Sequence, residues 1–180
     1  MKSLKLAILG VVTMVLSACS NHMPTFKSFE GNEPKMDIKS YFNGDLEAHG
    51  FIQGRNGEIN RTFKVTIVAT WEGKVGTLRE FFTFDDGKEL ERVWTITLNE
   101  DGTFTATASD VVGTAKGRVK GNAINMKYVL RIPIDETTYD ISVNDWLILL
   151  DEKRLMNISE LTKFGFNVGR LTIYFEKKDT

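Results

Sequence analysis

Four ionisable side chains occupy positions where the sequence pattern calls for apolar ones. Glu80 alternates with Leu78, Phe82 and Phe84, and Arg92 with Leu90, Trp94 and Ile96. Asp110 alternates with Phe104, Ala106, Ala108 and Val112, and Asp145 with Val143 and Leu147. In an extended chain every second residue shares a face, so each of these charges points where its apolar neighbours point. An inward charge costs several kcal/mol unless it is paired. Acids and a base sharing one interior can satisfy each other as a buried ion pair that fixes register. They can instead grip the polar head of a ligand, and catalysis is a third use. Glu80, Arg92, Asp110, Asp145 and the adjacent Trp94 are therefore the candidate ligand-binding residues. Trp71, Trp94 and Trp146 either line an apolar cavity or fill a core.

Other chemistry has little to build on. His49, the single histidine of the folded part, lies beside Glu47 and Gln53 on the more polar face of its strand and reads as an exposed strand residue rather than a base. A zinc site normally needs several His or Cys ligands, and the chain has two His and one Cys. Asp85-Asp86 belongs to a turn and lacks calcium-loop spacing. There is no Gly-x-Ser-x-Gly elbow and no phosphate-cradling glycine loop. No catalytic residue, metal or cofactor is expected, and the chain is read as a non-enzyme.

The elements that position these residues are strands. Phe63, Val65, Ile67, Ala69 and Trp71 alternate with Lys64, Thr66 and Thr70, a period of two. Such alternation recurs ten times, near 46–54, 59–71, 76–85, 89–98, 103–110, 114–120, 123–133, 138–150, 153–161 and 168–177. Asn56-Gly57, Asp86-Gly87, Asp101-Gly102 and Gly121-Asn122 punctuate the runs as hairpin dipeptides. Met36 to Phe42 suits a helical turn before the first strand. Sequential hairpins without crossovers predict an all-β antiparallel meander, closing into a single lipocalin-like, calycin-like barrel because closure removes exposed edges. A two-sheet sandwich is the alternative. Around Asp85-Asp86-Gly87 the hydrophobic pattern selects a three-residue loop, setting Phe82 opposite Leu90, Glu80 opposite Arg92 and Leu78 opposite Trp94. A one-residue slip would turn every side chain to the other face. The strand around Trp146 is apolar on both faces, so its outer side needs a cover, for which Phe26, Phe29 and Lys163–Phe166 are available. Ala106, Ala108, Ala115 and Gly117 either leave space beside Asp110 or mark a tight corner.

Composition fits one globular domain: 180 residues, 42% hydrophobic and 26% charged, enough to bury roughly 70% of the unfolded surface. A net charge of −1 leaves no basic footprint for nucleic acid. The first residues differ. Lys2 and Lys5 precede an apolar run from Leu6 to Leu16, then small Ser17 and Ala18, then Cys19. This is the plan of a signal peptide, too short to span ~30 Å of hydrocarbon. Leu16-Ser17-Ala18-Cys19 resembles the bacterial lipobox, which implies cleavage before Cys19 and lipidation of its thiol, the chain's only one. The acyl chains, at ~0.8 kcal/mol per buried methylene, would anchor the protein in a membrane. Ser20 after the Cys implies sorting to the outer membrane, periplasmic side. The expected organisation is a signal peptide over 1–18, a lipidated tether over 19–35 and a barrel over 36–180. Removing 1–18 takes away Lys2 and Lys5 and no acid, so 23 basic side chains become 21 against 24 acidic, a formal −3.

Tyr41-Phe42-Asn43-Gly44, the run Asp110 to Gly117, Asn144-Asp145-Trp146 and Lys163-Phe164-Gly165-Phe166 resemble a family of proteobacterial lipoproteins known only as a domain of unknown function. The resemblance implies a lipid-anchored, calycin-like β domain and carries no activity. Two functions are expected from these readings: a barrel holding a small apolar or amphipathic molecule, such as a fatty acid, or an accessory envelope lipoprotein with a filled barrel acting through protein contacts. An internal cavity above about 300 Å³ would favour the first.

Overall fold

The computed structural model describes residues 23–134 and 136–179; the signal-peptide and Cys19 readings lie outside them. Ten strands run in chain order: β1 (Gly44–Gly54), β2 (Ile59–Glu72), β3 (Val75–Phe84), β4 (Glu89–Leu98), β5 (Thr103–Thr107), β6 (Ala115–Lys120), β7 (Ala123–Ile134), β8 (Thr137–Leu149), β9 (Arg154–Lys163) and β10 (Phe166–Lys177). Each pairs antiparallel with the next, and β1 pairs with β10 from Leu46↔Lys177 to Gly54↔Gly169. The result is a closed barrel, not a sandwich. Both strands of the closing seam lie within residues 44–177, so the sheet closes on itself without a strand from elsewhere.

Alternation sets the interior. Leu46 and Ala48 of β1, Val65, Ile67 and Ala69 of β2, Leu78 and Phe82 of β3 and Trp94 and Ile96 of β4 are all buried, while their odd-numbered or even-numbered neighbours face out. Asp86-Gly87 turns as expected: Phe84 N–H donates to Lys88 O at 2.9 Å, Gly87 takes φ +78°, and the ladder continues as Phe82↔Leu90, Glu80↔Arg92 and Leu78↔Trp94.

One end of the barrel is closed by the short helix α1 (Ile38–Tyr41), where the sequence predicts a helical turn. Asp37 caps it, its Oδ1 accepting from Ser40 N–H at 2.7 Å. Tyr41 Oη donates to Lys153 O at 3.1 Å, and Trp71 Nε1 donates to Phe42 O at 2.5 Å. These bonds seat α1 over the β2–β3 and β8–β9 turns and aim Ile38 and Phe42 inward.

Four strand boundaries differ from expectation by two residues or more, and the first is the start of β1 at Gly44 rather than 46. β5 stops at Thr107 instead of running to 110, because residues 108–114 leave the sheet and return to β7 through the Val111↔Leu130 bridge. β9 and β10 extend to Lys163 and back to Phe166 around a tight turn in which both Phe164 (φ +51°) and Gly165 (φ +80°) are left-handed. That geometry matches the twist of the flanking strands, but Phe at the first position gives no sequence signal for it. Phe164 is 89% exposed there.

The outer face of β8 is covered from the N-terminal side. A 3-10 turn over Phe26–Phe29 places both rings on Trp146, with centroids 5.0 and 5.4 Å away. Phe29 and Trp146 are buried, and Met36 N–H bonds Gly121 O at 2.8 Å. The Lys163–Phe166 segment does not serve as the cover. Trp146→Ala should therefore cost about 3–5 kcal/mol in urea unfolding and expose the segment before Met36 to limited proteolysis, whereas Phe164→Ser should leave stability within about 0.5 kcal/mol.

Candidate functional site

The β3–β4 register sets Glu80 and Arg92 opposite each other on the inward face, with side chains 13% and 17% exposed. They face each other without a hydrogen bond: Arg92 Nη1 lies 3.8 Å from Glu80 Oε2. The guanidinium is committed elsewhere. Its Nε donates to both oxygens of Asp110 at 2.9 and 3.1 Å, and its Nη2 to Asp110 Oδ2 at 2.6 Å. This bidentate fork is the stronger kind of ion pair. It exists because β5 pairs with β4 only as far as Thr95↔Thr107. Beyond that point the 108–114 connection covers β4, and Asp110 reaches in from it. Asp110 O in turn accepts from Arg131 N–H at 2.8 Å, and Val112 N–H bonds Val129 O at 2.9 Å, holding the connection on β7.

Glu80 Oε2 is buried and has no hydrogen-bond partner. Burial pushes the Glu80 carboxyl up to about 7; Arg92 opposes this, and the Asp110 and Asp145 charges add to it. Burial also acts against the Arg92 charge, but Glu80 and Asp110 outweigh it and raise the guanidinium further.

Asp145 is settled differently. On β8 it meets β9 at Asp145↔Ser159 and Leu147↔Asn157. Its Oδ1 accepts from Asn157 Nδ2 at 2.6 Å and from Ser159 Oγ at 2.5 Å, and its Oδ2 from Tyr128 Oη at 3.2 Å. Burial raises the Asp145 carboxyl, and these three donors pull it back. Tyr128 is raised well above its usual range by burial and by Asp145. The Tyr128 ring also meets Trp94 edge-on at 5.4 Å.

Between the two polar groups lies a cavity of about 110 Å³. Glu80, Arg92, Asp145 and Asn157 enter its wall with Tyr128, and the rest is largely apolar: Val65, Ile67, Leu78, Trp94, Ile96, Phe104, Ile173 and Phe175, with Ile38 and Phe42 at the α1 end. A space of this size admits a few heavy atoms, well short of the volume that would take a long acyl chain. Ala106 lines it, whereas Gly117 is a tight corner: a Cβ there would lie inside the Phe104 ring.

All five candidate residues thus reach the interior or its wall. Glu80, Arg92, Trp94 and Asp145 line the cavity, and Asp110 stands behind Arg92. Asn157, Ser159 and Tyr128 were not legible as site residues. The signal was present in β9, where Asn157 and Ser159 alternate with Leu155 and Leu161, but both are neutral and lack the burial cost that singles out an inward charge. His49 lies outside, exposed, 2.9 Å from Glu47. Trp71 and Trp146 do not reach the cavity.

Residues 13–177 match the family described as protein of unknown function DUF3833. The chain belongs to this family. No curated protein shows significant sequence similarity to it. Among solved structures, this DUF3833 chain is similar to the S-type phycobiliprotein lyase CPES from Guillardia theta (TM-score 0.60, 12% identity, 87% of this chain and 99% of that one). It is also similar to Rv2717c from M. tuberculosis (TM-score 0.58, 13% identity, 82% and 99%). A DUF3598-family protein of unknown function from Nostoc punctiforme matches with TM-score 0.56 and 10% identity over 88% of this chain and 53% of that one. At these identities the likeness is one of fold, a lipocalin-like barrel.

Two outcomes follow for this DUF3833 barrel. Below about pH 4.5 Glu80 is protonated whether folded or not; as pH rises toward 7 the unfolded chain ionises first, so stability falls through that window, by on the order of 3 kcal/mol from Glu80. Asp145 adds a loss of the same sign. Glu80→Gln should flatten, not abolish, the decline in unfolding free energy measured between about pH 5 and pH 8; an unchanged slope would show that Glu80 ionises freely. Arg92→Met, which strands Asp110 and Glu80, should cost about 3–5 kcal/mol, and replacing Glu80 and Asp110 by Leu in the same chain should regain most of it.

Proposed function

We propose that the protein is a lipid-anchored envelope protein whose barrel holds a small, compact amphipathic molecule. The observation that carries the binding half is the interior cavity, largely apolar yet containing a buried carboxylate oxygen of Glu80 with no partner. An apolar pocket with a few convergent polar groups and a strongly perturbed titratable residue has the composition of a ligand site. Glu80, Arg92, Asp145 and Trp94 would contact the ligand, and Asp110 would hold Arg92 in place. A phycobiliprotein lyase shares the fold; at 12% identity that supports the scaffold, and binding without catalysis is our reading for this chain.

The anchoring half rests on Leu16-Ser17-Ala18-Cys19 and the positive, apolar stretch before it. In this reading Cys19 is the mature amino terminus, the lipid sits in the outer membrane facing the periplasm, and the barrel follows a tether that begins at Ser20. Met23 and Phe26 pack beside Trp146, which would hold the barrel wall within a few residues of the anchor.

A second reading draws on a different observation. The cavity falls short of the about 300 Å³ usual for ligand pockets, and Phe164 and Phe166 are 89% and 67% exposed at the β9–β10 turn. A barrel filled by its own side chains, acting through protein contacts at that turn, fits these facts.

Native mass spectrometry of the chain purified from Ser20 onward, with solvent extraction, should show a co-purifying small molecule that is lost in Arg92→Ala; a ligand-free spectrum from freshly isolated protein would favour the filled barrel. Radioactive palmitate should label the full chain and not Cys19→Ser, and equal labelling would end the lipid-anchor reading.

A further inference from the structure

We propose that the cavity selects an uncharged hydrogen-bond donor, an alcohol or a comparable hydroxyl compound, and rejects carboxylates, fatty acids included. This rests on the binding reading above and narrows its ligand class. The charge balance decides it. Arg92 is the one cation facing the cavity among the described residues, and three hydrogen bonds bind it to Asp110. Two carboxylates, Glu80 and Asp145, stand in the cavity wall. Asp145 already accepts from Asn157, Ser159 and Tyr128. Glu80 Oε2 accepts from nothing.

A ligand carboxylate placed here would meet a second carboxylate at contact distance, with the only guanidinium already matched. Like charges that close disfavour each other strongly when water is excluded. A hydroxyl has the complementary pair of functions: its O–H donates to Glu80 Oε2, and its lone pairs accept from Arg92 Nη1, which lies 3.8 Å from that oxygen and, among the described residues, donates no hydrogen bond, the bonds to Asp110 coming from Nε and Nη2. An ammonium would donate to Glu80 as well, but it would abut the guanidinium and have no way to accept from it. The volume limits the ligand to a few heavy atoms, about the scale of a four- to six-carbon alcohol.

The test uses 1-butanol, butylammonium and butanoate at about pH 8, with the chain from Ser20 onward, following the indole N–H resonance of Trp94 by NMR and assigning it through Trp94→Phe. Butanol should bind at least about tenfold more tightly than butanoate. In Glu80→Gln, which removes the charge and keeps an acceptor oxygen, that gap should close to within about threefold. Butanoate binding as tightly as butanol in the unaltered protein would overturn the selectivity and leave the binding reading standing. Butylammonium binding most tightly would overturn it in favour of a cation site. If none of the three moves the Trp94 resonance, the binding reading itself fails and the inference with it.

Discussion

One guanidinium faces three carboxylates inside a closed barrel, and much of the wall is arranged around that imbalance. Glu80 and Asp145 are shut off from solvent and Asp110 only partly so, and each charge is answered by what the wall brings to it. Arg92 is claimed by Asp110 through a fork of hydrogen bonds. The claim has a topological cost: β5 stops at Thr107, and a connection replaces sheet from 108 to 114 so that Asp110 reaches across the uncovered part of β4. The loop is then pinned to β7 by backbone bonds at Asp110 and Val112. The least regular stretch of the wall is therefore held by the most strongly paired charge in the interior.

The remaining two carboxylates meet burial in opposite ways. Asp145 sits where β9 offers Asn157 and Ser159 in register and β7 offers Tyr128, so three neutral donors replace its hydration. Glu80 sits where β2 offers Ile67 and β4 offers the already engaged Arg92, with the Trp94 indole as a further, weaker opposition to burial. Its carboxyl is pushed up toward neutrality as a result. The two acids lie on opposite sides of one small cavity. One side of that space is finished chemistry and the other is not.

How much of this could be read from the sequence depends on the range of the interactions. Alternation and turn dipeptides are local, so the strand count, the three-residue loop after Phe84, the Glu80↔Arg92 register and the inward direction of all four charges were legible. The barrel closure follows from the need to remove edges, which is a property of the whole meander. What escaped was non-local. Which carboxylate takes Arg92 depends on where β5 leaves the sheet, and Ala108 and Val112 continue the alternation of Phe104 and Ala106 past Thr107, which hides the exit. The donors around Asp145 come from β9 and become its neighbours only through the β8–β9 register. The Phe164-Gly165 turn places a Phe at positive φ, against that residue's preference, so the sequence reads through it. Trp146 was legible as needing a cover, but only packing could choose Phe26 and Phe29 over the β9–β10 turn.

The reading of Glu80 turns on what its charge adds to the fold. A buried ion pair can be retained because it fixes register, yet the register here is already determined. The Asp85-Asp86-Gly87 loop sets it, and Phe82↔Leu90 and Leu78↔Trp94 on either side would both be disrupted by a slip. Arg92 already has a full partner in Asp110, so Glu80 is not needed to neutralise it. Nor does it make a hydrogen bond through Oε2 that another element requires. An apolar residue of similar volume would serve the core at least as well by every packing criterion. Glu80, which burial holds near neutrality, which specifies nothing that its neighbours do not and which presents an unused acceptor to a cavity, is the residue on which the proposed binding reading rests.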